Sequence, residues 1–303
     1  MPGGKDGGTV KTLSLHHPGA VSVYFLCVLL PVVFGLDPVR GAIGLASGLL
    51  LWGLTDETRS LRGAAFYLAV PALSALINPL FNHNGVSVLF FLNSNPITRE
   101  AVLNGLVLGL VLSAALVWGR CFSAVMDADR LLTVTSALSP KLSLVLSMTL
   151  RMIPLLRRQT VRTREAHTGA GLRREDNMPD RIRGGARVFS GLVTWALENG
   201  IVTADSMTAR GYGTGRRTRY RRMAWERGDT LVTCIAPALF ALSLLSRWLG
   251  HPGYVWYPVL VPPAFGPAEA AGYASFALLC LAGAGLEAAD RIRWRRRLRE
   301  VKG

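Results

Sequence analysis

Apolar residues run along this chain in long blocks with almost no charge, broken by short polar stretches and one long basic one. Six blocks approach the length an α-helix needs to cross a hydrocarbon core of about 30 Å. They lie at residues 20–36, 40–54, 63–81, 101–119, 229–249 and 270–287. Pro31 interrupts the first, and Gly44, Gly48 and Gly53 punctuate the second. Prolines and small residues are ordinary where membrane helices pack closely. A soluble protein with buried helices has little use for six charge-free runs. The pattern therefore predicts an all-α, polytopic membrane protein with about six spans.

Between spans three and four, Val86–Leu92 is apolar but too short to cross. It sits between turn-rich stretches at 82–85 and 93–96, and reads as a strand-like or interfacial segment. The long basic stretch, 120–228, holds two apolar segments of its own. Leu142–Leu156 carries Arg151 and Pro154, and Val188–Val202 carries Glu198 and Asn199. These charges favour long helices at a membrane face over a seventh and eighth span. The first helix continues through Arg157, Arg158, Arg162 and Arg164, and Gly169, Gly171 and Pro179 end it and open a linker. The second is expected over Ala186–Thr208, stopped by Gly211, Gly213 and Gly215.

Charge orients this arrangement. Hydrophobic residues make up 50% of the chain, yet the net charge is +15. Such a balance points to nucleic-acid binding or to membrane topology, and position decides between them. The tails, the loop between spans two and three and the insert hold 31 Lys and Arg; the opposite loops hold 3, namely Arg40, Arg99 and Arg247. Long inserts cross membranes with little regard to charge, so 120–228 is discounted; the split is then 11 against 3. The positive-inside rule places both termini and the insert in the cytoplasm. No nucleic-acid recognition motif accompanies the charge. The expected divisions are a disordered N-terminus (1–12), four spans (13–119), the cytoplasmic insert (120–228), two spans (229–290) and a basic tail (291–303). The N-terminus lacks the signal-peptide pattern. The external connection 248–269 carries Trp248, Tyr254, Trp256 and Tyr257, residues that favour the headgroup level.

Candidate chemistry is sparse. Cys27, Cys121, Cys234 and Cys280 share no CxxC spacing, and His16, His17, His83, His167 and His251 make no metal-ligand spacing on one helix. No cofactor or metal is expected. Gly4-Lys5 is followed by Asp6, so it is not a phosphate-cradling loop. Gly211-x-Gly213-x-Gly215 follows a helix, not a strand, and reads as a helix stop. Apart from Glu287, Asp and Glu are absent from the cores of the spans. Ion-coupled carriers usually need ionisable groups there, which disfavours a self-sufficient secondary transporter, the alternative reading. A membrane enzyme would need a catalytic cluster, and none is evident. Arg210 is the sharpest candidate. A cation at a helix C-terminus is favoured by the macrodipole by about 0.3–1 kcal/mol, which is its purely structural role. Its small neighbours Ala209 and Gly211 would equally let a partner approach its guanidinium.

Three stretches carry a resemblance: Asn78-Pro-Leu-Phe-Asn-His-Asn-Gly85 with Asn95-Pro-Ile-Thr98, Leu146-Ser-Met-Thr-Leu-Arg-Met-Ile-Pro154, and Ala209-Arg-Gly-Tyr212. Together they resemble the transmembrane T component of energy-coupling factor (ECF) transporters, the family that includes the cobalt-transporter Q-type proteins. The resemblance implies a scaffold in the bacterial cytoplasmic membrane for an importer of vitamins or transition-metal ions. It implies two ABC-type ATPase subunits and a membrane-embedded substrate-binding S component as partners. Two Ala-Arg-Gly motifs, at the ends of two long coupling helices, dock on the ATPases. The second is intact at Ala209, Arg210 and Gly211. The first falls at Gly169, Ala170 and Gly171, where the arginine is missing. Arg164 or Arg173 stands near enough to substitute, or the site docks by shape and backbone alone.

Overall fold

The computed structural model describes residues 16–55, 61–82, 85–92, 95–171, 177–215, 225, 227–249, 254 and 266–302. Residues 1–12, His83, Arg173, Trp256 and Tyr257 lie outside them. Nine helices and a two-stranded hairpin follow in order among the described residues: α1 (Pro18–Phe34), α2 (Pro38–Thr55), α3 (Leu61–Phe81), β1 (Val88–Leu92), β2 (Asn95–Thr98), α4 (Arg99–Val125), α5 (Ala128–Leu138), α6 (Pro140–Gly169), α7 (Met178–Ala209), α8 (Arg227–Leu249) and α9 (Pro267–Lys302). They form two units, one drawn from 1–131 and 224–303, the other from 132–223. The chain passes from the first to the second within α5.

In the first unit, four helical stretches are long and apolar enough to cross a membrane: Gly63–Phe81, Arg99–Val125, Gly228–Leu249 and Pro267–Ala289. The other two expected spans differ. α1 is apolar but has 17 residues, and α2, with 18, contains Arg40 and four glycines and is not among the four. The core gathers around Trp118, Phe25, Phe276, Leu51 and Leu279, all fully buried. α4 packs against α1, α2 and α3, while α9 packs against α8 and α2. Gly105 and Gly109, one turn apart on α4, press on α3. A Cβ on Gly109 would stand 2.5 Å from the Pro71 Cα, and one on Gly105 would stand 2.7 Å from the Ser74 carbonyl oxygen. Close backbone approach through small residues is how apolar helices gain contact in lipid.

Polar groups in this unit are spent on carbonyls. The Trp118 Nε1–H donates to the Gly44 oxygen at 2.9 Å, and the Tyr24 hydroxyl to the Leu279 oxygen at 3.2 Å. Where water is absent, an unmet donor costs several kcal/mol, so these bonds fix which faces meet. Two charged contacts tie the helix ends. At the start of α1, the buried Asp229 of α8 accepts from His16 Nδ1 at 2.8 Å and from the His17 amide at 2.9 Å. At the opposite end, Asp37 lies 3.5 Å from both Arg40 Nε and Arg247 Nη1.

The hairpin refines the expectation for 82–98. Val88–Leu92 is a strand, and Asn95–Thr98, whose first two residues fall in the turn expected at 93–96, is its antiparallel partner. Pro96 is tolerated because a two-stranded ribbon leaves an edge where no amide is needed. Thr98 then caps α4, its Oγ1 accepting from the Ala101 amide at 3.3 Å. Asn78, near the end of α3, donates to the Ala101 carbonyl at 2.7 Å. The Asn78 and Thr98 positions thus fasten the end of α3 to the beginning of α4.

Candidate docking motifs at two helix ends

The second unit holds two long helices, α6 and α7, in contact with each other. Asn199 of α7 donates its side-chain amide to the Met152 sulfur of α6 at 3.4 Å. Ser139 precedes α6 and Asn177 precedes α7, and each helix has a proline in its first turn. A first-turn proline removes only an amide with no helical partner, and its fixed φ suits the helix. Pro179, expected to open a linker, therefore begins α7, which starts at Met178 and not at Ala186.

Both helices stop in the same way. At the end of α6, Ala170 is the cap residue, with φ −81 and ψ 2, and its amide donates to the Ala166 carbonyl. Gly171 follows with φ +68. At the end of α7, Arg210 is the cap residue, with φ −85 and ψ 8, its amide donating to the Ser206 carbonyl, and Gly211 follows with φ +78. Positive φ is where a Cβ is penalised and glycine is not, so these glycines end the helices. The correspondence extends backwards. Thr168 donates its hydroxyl to the Arg164 carbonyl and Thr208 donates to the Ala204 carbonyl, each two residues before its cap. Thr168-Gly-Ala-Gly171 and Thr208-Ala-Arg-Gly211 are thus one local structure built twice. Ala170 stands where Arg210 stands.

The candidate residues Gly169, Ala170, Gly171, Ala209, Arg210 and Gly211 are all exposed. Beyond Gly211 the chain tightens again: the Thr214 hydroxyl donates to the Gly211 carbonyl at 2.7 Å, and Gly213 has φ +92. Of the guanidiniums named as substitutes for the missing arginine, Arg164 lies on α6 and helps line a shallow groove with Glu165, Thr168 and Gly169. Further back, α6 and α7 carry apolar side chains open to their surroundings. Ile182, Phe189, Val193, Leu197 and Ile201 recur at near-helical spacing along α7, and Leu142, Val145, Leu146 and Ile153 along α6. Sequence reading took these segments as apolar without assigning a face; only their exposure singles the faces out. Among the described residues, no group of three or more His, Cys, Asp or Glu is placed to hold a metal ion.

Long, lipid-length apolar helices in an almost wholly helical chain define a polytopic α-helical membrane protein. The CbiQ family, described as cobalt transport protein, matches residues 11–220, and the chain belongs to that family. It is similar to the "Energy-coupling factor transporter transmembrane protein EcfT" of Streptococcus thermophilus, with 32% identity over 120 residues, 39% of this chain and 44% of that protein. It is also similar to the EcfT of Listeria innocua, 34% identical over 111 residues, covering 36% of this chain and 41% of that protein. EcfT 1 of Listeria monocytogenes is 31% identical over 108 residues, 35% of this chain and 41% of that one. The matched stretch therefore spans less than half the length of these relatives.

Proposed function

We propose that this chain is the membrane-embedded coupling scaffold of an ECF-type importer. Two ABC-type ATPases dock at the ends of α6 and α7, through Gly169–Gly171 and Ala209–Gly211. A membrane-embedded substrate-binding component rests on the exposed apolar faces of the same helices. The chain contributes no nucleotide site; hydrolysis belongs to the ATPases, and the cargo, a vitamin or a transition-metal ion, is selected by the substrate-binding component. Both termini and the 120–228 insert face the cytoplasm of the bacterial cell.

The observation that carries this reading is the repeated helix end. A helix C-terminus offers unpaired carbonyls and a negative dipole end. Two such ends, each bounded by a left-handed glycine and flanked by small residues, suit insertion into partner grooves. Family membership and the EcfT relatives support the transporter context. Long helices transmit displacement because their backbone hydrogen bonds resist bending, so motion at the caps reaches the apolar faces.

Arg210→Ala tests the reading, with Arg181→Ala, an exposed arginine near the other end of α7, as its control. Removing a desolvated guanidinium leaves partner acceptors unpaired and costs about 2–5 kcal/mol. An exposed arginine away from the contact is worth under about 1 kcal/mol. Arg210→Ala should lose the ATPase docked at α7 and most uptake at normal membrane expression, and Arg181→Ala should lose neither. Equal tolerance of both substitutions leaves Arg210 as a helix cap and removes the docking assignment.

A further inference from the structure

Arg40, in the first turn of α2, and Arg247, in the last turn of α8, meet in one place. They share Asp37, which stands 3.5 Å from Arg40 Nε and 3.5 Å from Arg247 Nη1. Charge-assisted pairs normally close to about 2.7–2.9 Å. The two contacts are long, and Arg40 Nε makes no hydrogen bond. The other interactions of Arg40 are equally loose: Nη2 donates to the Ser243 carbonyl at 3.4 Å, and the guanidinium carbon lies 5.6 Å from the centre of the Tyr273 ring. Two guanidiniums carry ten donors between them, and among the described residues the buried Arg40 Nε is without a hydrogen-bond partner.

With Ser243, these arginines form the polar part of the wall of a cavity of about 270 Å³, whose remaining wall includes Leu30, Phe34, Phe240 and Leu244. Neither Asp37 nor Glu269 belongs to that wall, although Glu269 also has a buried oxygen without a hydrogen-bond partner. The wall thus offers two guanidiniums and a hydroxyl as hydrogen-bond donors and is largely hydrocarbon elsewhere. Its apolar side opens outward, since Phe34 is 76% and Leu244 47% exposed. Arginines near the ends of membrane helices ordinarily reach away from the protein into the headgroups. Arg40 does not: it is 6% exposed, turned inward beside the cavity. The cavity lies where α1 ends, α2 begins and α8 ends, the depth at which lipid phosphates sit.

We propose that this cavity binds the phosphodiester of a membrane phospholipid. Arg40 and Arg247 hold the phosphate, and one acyl chain lies along Phe34, Phe240 and Leu244. A compact anion would satisfy the guanidiniums and leave the apolar wall bare; a neutral lipid would cover the wall and leave the guanidiniums unmet. Only an amphiphilic phosphate meets both.

The test uses the full chain, delipidated in a non-ionic detergent, with dioleoylphosphatidylglycerol, dioleoylglycerol or inorganic phosphate added at equal concentration. Two readouts are taken: retained adducts by native mass spectrometry, and the rate at which phenylglyoxal modifies Arg247, mapped by peptide mass spectrometry. The phospholipid should form a retained adduct and slow Arg247 modification on the order of threefold or more, because a bound phosphate shields the guanidinium. Dioleoylglycerol and inorganic phosphate should do neither. Arg247→Gln, which removes the guanidinium but keeps a polar side chain at a partly open position, should lower adduct occupancy several-fold. Equal protection by dioleoylglycerol would reduce the site to an apolar groove, and equal protection by inorganic phosphate to a free-anion site; either overturns the proposal. So does a phospholipid adduct that leaves Arg247 reactivity untouched, because the lipid is then elsewhere. The protection measurement on the unaltered chain decides the matter even where a variant folds poorly.

Discussion

At the scale of single residues, the difference between the two helix ends is one side chain on a shared backbone. Ala170 and Arg210 have nearly the same φ and ψ, and both are exposed. Ala170→Arg thus adds a guanidinium without strain. On the proposed docking it should tighten ATPase attachment about tenfold, the worth of one charge-assisted hydrogen bond of about 1.5 kcal/mol. Surface immobilisation of the ATPases and titration with both proteins measures it; no gain means that α6 docks without reference to charge. Asp229 makes the opposite kind of prediction. It is 1% exposed and accepts from His16 and from the His17 amide. Asp229→Ala leaves those donors unmet, at about 1–3 kcal/mol for each group that water cannot reach. The variant should melt several degrees lower in detergent, and Asp229→Asn, which keeps an acceptor, should recover part of the loss.

At the scale of elements, α3 and α4 are held together by what α4 lacks. Gly109→Leu places a side chain where the Cβ alone already meets the Pro71 backbone at 2.5 Å, so the helices must separate. Overpacking of this kind costs about 1–3 kcal/mol or more. Reduced folded yield with unchanged membrane insertion is the expected result. Four of the six expected spans are helices long and apolar enough to cross a membrane, because a charge-free apolar run in lipid has few options besides a helix. Sequence reading misplaced the start of α7 by taking Pro179 as a breaker, when the first turn is the one place in a helix where proline costs little. The turn expected at 93–96 overlaps the start of β2, because strand pairing with Val88–Leu92 is a relation between segments, invisible in either alone. The register of Gly169–Gly171 against Ala209–Gly211 was readable in the sequence. The shared cap was only half readable: the glycines announce a stop, but equal φ and ψ at Ala170 and Arg210 emerge only from coordinates.

At the scale of the whole molecule, the proposed orientation follows from the 11-to-3 charge split in short loops and tails. Cysteines introduced at Ala170 and at Gly303 should resist an impermeant maleimide in intact cells and react in inverted vesicles; reaction of Ala170→Cys from outside would reverse the insert. The repeated helix end then has a consequence for assembly. One contact is charged and its counterpart is not, so the two should part under different conditions. Ionic strength screens the guanidinium of Arg210 far more than the bare backbone and alanine surface of the α6 end. Raising salt should carry the proposed complex through a stage with a single ATPase attached, the one held at α6, visible as a distinct mass before full dissociation. On the proposed docking, a scaffold with such unlike ends is polar in the sense that a hinge with one loose pin is polar: loading it from either side is not equivalent, and two helix caps set the order in which its ATPases leave.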